Sequence, residues 1–249
     1  LLGEAYPSGK LTTSWVRGGD FCPQAEFGEK EETHYKEGIY VGYRYYDAAH
    51  VKPLFPFGFG LGYTDFRLEP GAVTLAGEQV TVSAQVRNTG AFSGKEVVQL
   101  YLSSPWGALD QPAQALAAYG KTRELAPGES CRMELRFKMS DLASFDEARS
   151  AYVLEKGDYV LRCGNSSRKC KPMALLRLTH EVVTLQARDL LGKPDFSDWK
   201  PEGPEPVPEG LPVYVLDAES IPTKTLSDTR TPRPDPMVQA LTDEELVFL

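Results

Sequence analysis

Val80-Thr81-Val82-Ser83-Ala84-Gln85-Val86-Arg87-Asn88-Thr89-Gly90 alternates apolar and polar residues and then stops on a turn signal. A period of two puts Val80, Val82, Ala84 and Val86 on one face and Thr81, Ser83, Gln85 and Arg87 on the other, the mark of a strand with one buried side. Asn88-Thr89-Gly90 supplies the turn, because Gly90 can take a positive φ. The next run, Glu96-Val97-Val98-Gln99-Leu100-Tyr101-Leu102, is partly apolar on both faces, as an inner strand of a sandwich would be. Leu125-Ala126-Pro127-Gly128-Glu129 is a Pro-Gly turn, after which Cys131, Met133, Leu135 and Phe137 alternate with Arg132, Glu134, Arg136 and Lys138. Glu155-Lys156-Gly157-Asp158 turns again into Tyr159-Val160-Leu161-Arg162-Cys163. Strands at this spacing predict an antiparallel β-sandwich over residues 67–183.

Upstream the character changes. Residues 1–66 hold 14 of the 26 aromatic residues, among them Tyr6, Trp15, Tyr35, Tyr40, Tyr43, Tyr45, Tyr46, Phe55, Phe57 and Phe59. A unit this small buries too little surface to stand alone, so its rings are expected to pack against another domain. Downstream, residues 184–234 are Pro-rich and read as an extended interdomain strap, with Leu211-Pro212-Val213-Tyr214-Val215-Leu216 as a short strand along it. Residues 235–249 contain Thr242-Asp243-Glu244-Glu245, a capping-box spacing that opens a helix, followed by the apolar Leu246-Val247-Phe248-Leu249. That helix has little beyond it to bury its apolar face against, which suggests a piece of a longer protein. A short helix docked on the body is the other outcome.

Composition excludes several classes. With 27 Lys+Arg against 35 Asp+Glu, the net charge of −8 and the lack of a basic cluster argue against nucleic-acid binding. No apolar run reaches the ~18 residues of a membrane span. Four cysteines without a C-x-x-C pair give no zinc pattern, and no metal or cofactor is implied. Buried free thiols are expected, with a Cys163–Cys170 disulfide as the alternative in an oxidising compartment, and unpaired cysteines lean towards a cytoplasmic one.

The run Phe57-Gly58-Phe59-Gly60-Leu61-Gly62-Tyr63 lacks the glycine offsets of a dinucleotide loop. Alternating ring and glycine instead predicts backbone passing close to another element. Carboxylates that could serve acid–base chemistry beside the aromatic segment are Glu29, Glu31, Glu32, Glu37 and Asp47. Glu29–Glu32 read as a solvated loop, and Asp47 as a structural ion pair, with Arg44 as the nearest cation in sequence. His34, His50 and His180 are isolated in sequence, and Asn165-Ser166-Ser167 fits a glycosylation sequon.

Three stretches carry a family resemblance: Pro7-Ser8-Gly9-Lys10-Leu11; Tyr35-Lys36-Glu37-Gly38-Ile39-Tyr40-Val41-Gly42-Tyr43-Arg44-Tyr45-Tyr46-Asp47; and Pro53-Leu54-Phe55-Pro56-Phe57-Gly58-Phe59-Gly60-Leu61-Gly62-Tyr63. They resemble the closing segment of the α/β sandwich domain of glycoside hydrolase family 3. Val86-Arg87-Asn88-Thr89-Gly90, Gly94-Lys95-Glu96-Val97-Val98-Gln99-Leu100-Tyr101 and Gly157-Asp158-Tyr159 resemble that family's fibronectin type III-like domain. The resemblance implies a mainly β fold, a fibronectin type III/immunoglobulin-like sandwich preceded by the tail of an α/β sandwich domain.

It also implies a retaining β-glucosidase-type activity on a small-molecule glycoside for the whole protein, with a homo-oligomer compatible. In the family the nucleophile is an Asp of a (β/α)8 barrel, and the acid/base is commonly a Glu upstream of the Pro-Ser-Gly-Lys-Leu motif. Neither position lies in this chain, so no catalytic, cofactor or metal residue is assigned. Residues 235–249 resemble the start of the family's barrel in its swapped-order members. The rival expectation is a carbohydrate-binding or protein-interaction sandwich without catalysis, for which the candidate rings are Phe92, Tyr101, Trp106 and Tyr119.

Overall fold

The computed structural model describes residues 3, 5–20, 31, 33–188, 192, 195–203, 206–226 and 235–247. Glu29, Glu32 and Cys22 lie outside the described residues. The first regular helix is α1 (Tyr43–Ala48). The strands are β1 (Phe66–Ala76), β2 (Gln79–Asn88), β3 (Val97–Ser103), β4 (Ala115–Lys121), β5 (Ser130–Lys138), β6 (Ser144–Asp146), β7 (Ala151–Leu154), β8 (Gly157–Gly164), β9 (Cys170–Leu178), β10 (Val182–Gln186), β11 (Val213–Val215) and β12 (Lys224–Thr225).

Two sheets make the sandwich, one ordered β1-β2-β5 and the other β11-β9-β8-β3-β4; a third sheet, β12-β10-β7-β6, extends it. Antiparallel pairing dominates, as the short turns require. The exceptions are β11 on β9 and β12 on β10, both parallel and both made by the strap after residue 186.

Period-two alternation decides the core. Val80, Val82 and Val86 are fully buried and Ala84 nearly so, while across the register Leu135 opposes Val82 and Phe137 opposes Val80. The inward residues of the facing sheet are Val98, Leu100 and Leu102 on β3, with Leu161, Ala174 and Leu176 beside them. The turn after β2 is held by one side chain: Asn88 Nδ2 donates to Phe92 O (2.7 Å) and Leu125 O (2.9 Å), while its Oδ1 accepts from Thr64 Oγ1 (2.7 Å). A wholly buried amide with its hydrogen bonds made locks three loops at once.

All seven residues of β3 are buried. One face meets the core; the other is covered by the aromatic N-terminal segment. Tyr43 stacks on Phe57 at 4.6 Å and meets Tyr101 edge-on at 6.1 Å. Backbone hydrogen bonds between Leu11 and Phe59 and between Trp15 and Phe55 tie residues 11–15 to 54–59. Gly58 has φ +79°, and a Cβ there would collide with the Gln99 side-chain amide, so the glycine-ring run is a close approach to β3.

The strap is packed into the body. Leu216, Ala218 and Ile221 join the main hydrophobic core. Trp199 wedges edge-on between Tyr40 and Tyr45, with ring centroids 5.0 Å from each, and its backbone N–H donates to Lys36 O at 2.6 Å. The chain's last described elements are α2 (Pro236–Gln239) and α3 (Asp243–Val247). The capping box forms in both directions: Thr242 N donates to Glu245 Oε2 (2.8 Å), and Glu245 N to Thr242 Oγ1 (3.3 Å). Met237, Val238 and Leu246 remain exposed, so these three apolar side chains of the terminal helix pair are not buried on the body. Among the described residues no helix is long and apolar enough to cross a membrane.

Candidate functional site

The joint between the N-terminal segment and the sandwich concentrates the buried polar groups. Asp47, on α1, has a side chain only 7% exposed and forms an ion pair with Arg168 Nε at 2.7 Å. The same guanidinium donates to Tyr46 O (2.8 Å) and Val51 O (2.9 Å), placing a cation at the C-terminal end of α1. Gln114, from the loop before β4, donates through Nε2 to Asp47 Oδ2 (2.8 Å) and Ser167 O (2.7 Å). Cys170 Sγ lies 3.3 Å from Gln114 Oε1 and 3.2 Å from Ser167 O. Burial pushes the Cys170 thiol up to about 11, the Asp47 carboxylate adding to the effect, so it stays protonated at neutral pH.

A second lock lies alongside. Lys10, inside the Pro-Ser-Gly-Lys-Leu motif, pairs with Glu96 at 2.6 Å with both side chains mostly buried. The other Glu96 oxygen accepts from Asn165 Nδ2 at 3.0 Å. Gln99 Nε2 donates to Asn165 O (2.9 Å) and Gly58 O (3.4 Å), while Gln99 Oε1 accepts a hydrogen bond from the Tyr101 hydroxyl at 2.6 Å. Opposite charges that are desolvated together and fully bonded fix a geometry more than they drive a reaction.

The carboxylates singled out from sequence therefore separate. Asp47 is an ion-paired residue as expected, but its cation is Arg168, more than a hundred positions away, and Arg44 is exposed. Glu31 is exposed and Glu37 half-buried, and neither faces a second carboxylate across a cleft in any described contact. His34 packs on Phe196 at 4.8 Å and His180 Nε2 sits 3.4 Å from Glu219. Among the described cysteines, Cys131, Cys163 and Cys170 are free thiols. The sequon is spent internally, because the Asn165 amide nitrogen that would carry a glycan is the donor to Glu96, and Ser166 and Ser167 are buried. Of the candidate sugar-stacking rings, Tyr101 is wholly buried, whereas Phe92, Trp106 and Tyr119 are more than half exposed.

Arg168, Gln114 and Glu96 escaped the sequence reading, since nothing local marks a polar residue whose partner is distant. Trp199 did carry a signal, as a lone indole in a Pro-rich run.

Residues 96–167 match the fibronectin type III-like domain family. The chain is 39% identical over 206 residues to β-glucosidase A of Butyrivibrio fibrisolvens, covering 73% of this chain and 24% of that protein. A β-glucosidase of Ruminococcus albus is 37% identical over 199 residues, covering 77% and 21%. Among solved structures, a β-glucosidase from Paenibacillus barengoltzii superposes with a TM-score of 0.69 at 41% identity, over 73% of this chain and 21% of that one. Over about three quarters of its length the chain is similar to β-glucosidases of glycoside hydrolase family 3. β-Glucosidase 3B of Thermotoga neapolitana, solved with α-D-glucose, gives 0.65 at 41% identity over 71% of this chain and 25% of that one. The chain spans about a quarter of the length of the family relatives it matches.

Proposed function

We propose that these 249 residues are the non-catalytic structural portion of a retaining, β-glucosidase-type glycoside hydrolase that cleaves O-glycosyl bonds of small glycosides. The observation that carries this is the pair of buried interlocks, Asp47–Arg168–Gln114 and Lys10–Glu96–Asn165. They clamp a segment typical of the family's α/β sandwich domain onto the fibronectin-like sandwich, so that the sandwich braces what the segment belongs to. Residues 1–66 act as the end of that domain, 67–183 as the brace, 184–234 as the strap, and 235–249 as the opening of a catalytic barrel.

Apolar side chains left exposed on the N-terminal segment (Trp15 at 55%, Leu54 at 52% and Leu61 at 73%) supply a face for the rest of the α/β domain. Exposed Leu246 on a capped α3 gives the barrel the same kind of face. The nucleophile and the acid/base then lie in other parts of the whole enzyme, and the three free thiols fit a reducing, cytoplasmic setting.

The test compares two proteins on an aryl β-glucoside. The whole enzyme is expected to turn over and the 249-residue chain to show none, because the covalent route and the proton transfer both need carboxylates it does not supply. Turnover by the chain alone would overturn the proposal.

A further inference from the structure

A groove of about 650 Å³ opens where four parts of the chain meet: the N-terminal segment at Tyr40 and Arg44, the β3–β4 loop at Asp110 and Gln111, the stretch leading into β6, and the strap at Asp198 and Lys200. None of the interlocks described above occupies it. Its size is that of a small-molecule site.

Two features of its wall point to a ligand. Phe145 and Tyr152 line it as a tilted pair with ring centroids 5.3 Å apart, and they keep 37% and 40% of their surface exposed. Gln111 is 8% exposed, and its side-chain amide is only half used. Oε1 accepts from Ser144 Oγ at 2.8 Å, and Nε2 donates to no group among the described residues. Nε2 is not one of the buried, unpartnered side-chain atoms, so it reaches the groove and can donate to an acceptor that enters there.

Charge narrows the class. The rim is acidic, which disfavours phosphates and other anions. The carboxylates of Asp110 and Asp146 are already paired, with Lys200 at 3.1 Å and Arg149 at 2.6 Å, so their remaining lone pairs serve as hydrogen-bond acceptors more than as free charge for a cation. Among the described residues no cluster could hold a metal ion. An exposed ring face, an open amide donor and fixed carboxylate acceptors together suit a neutral polyhydroxylated ligand, which offers a C–H face for the ring and hydroxyls for the polar wall.

We propose that this groove binds a neutral oligosaccharide, with Phe145 and Tyr152 as its stacking surface and Gln111 Nε2 as a groove-facing donor to a sugar oxygen. The site stands on the ring pair, the amide and the charge pattern; only the choice of glucose-based probes rests on the proposed function.

Calorimetric titration of the 249-residue chain with cellobiose, cellotetraose and laminaritetraose tests it. Saturable binding is expected with a dissociation constant on the order of 1 mM for at least one tetrasaccharide. Phe145→Leu keeps an apolar side chain but removes the ring, and is expected to weaken that binding about fivefold with the thermal midpoint unchanged. Gln111→Leu should weaken it by a similar factor, whereas Trp106→Ala, on a different loop surface, should leave it intact.

No saturable heat up to about 20 mM of every sugar would overturn the proposal. So would binding that Trp106→Ala abolishes, or binding that neither groove variant weakens. Each of these three failures is distinct from failure of the functional proposal, which is read from turnover of the whole enzyme.

Discussion

Gln111 and Gln114 stand three residues apart on one loop and are equally buried, at 8% and 7% exposure, yet their amides have opposite fates. Gln114 spends both ends inside the protein, on Asp47, Ser167 and Cys170. Gln111 spends one end on Ser144 and leaves the other on a groove. One loop thus seals a joint and lines a cavity. The difference teaches that burial alone does not tell a structural amide from one free to receive a ligand; the accounting of donors and acceptors does.

The sharpest way to break the sealed side is Arg168→Ala. It strands the Asp47 carboxylate in the joint and is expected to cost about 3 kcal/mol, at the low end for an orphaned buried charge because Arg168 itself is partly exposed. Denaturant unfolding of the chain measures it, and adding Asp47→Asn should restore a good part of the loss. Gln114→Leu comes next. It leaves Ser167 O with only the weak Cys170 thiol donor and removes the amide donor from Asp47 Oδ2, for about 2 kcal/mol. Gln111→Leu is the matched control on the open side: only the Ser144 contact is lost, so about 1 kcal/mol or less is expected. Equal losses at 111 and 114 would erase the contrast.

The smallest effect lies outside both regions. Ser140 and Lys138 hold the Glu78 carboxyl below its ordinary 4.5. A folded-state value below the unfolded one gives stability that is fully present above about 4.5 and is lost as the pH falls through the folded value. Glu78→Gln should flatten that part of an acid-unfolding profile while leaving the Gln111/Gln114 difference unchanged.

The sandwich was legible because its signal is local. Val80 to Val86 alternate at the pitch of the pleat, and Pro127-Gly128 turns where Gly128 needs its φ of +79°. The continuous burial of β3 was legible as a two-faced strand, but not what covers it, since Tyr43 and Phe57 come from a segment without periodicity. Asp47 was legible as an ion-paired residue, and Arg44 was the wrong partner because nearness in sequence was the only guide. The strap hid its packing behind composition. Proline removes donors and suggests a spacer, while Leu216, Ala218 and Ile221 bury themselves in the core regardless. The half-used amide of Gln111 has no sequence signature, for it depends on which neighbours fail to arrive.

Trp199 closes on Tyr40 and Tyr45 from the far end of the chain. On a ribosome those tyrosines emerge long before the indole that fills the gap between them, with β1 to β10 translated in the interval. The indole can therefore close on them only once β1 to β10 have been made, while β11 and the core residues Leu216, Ala218 and Ile221 are still to follow.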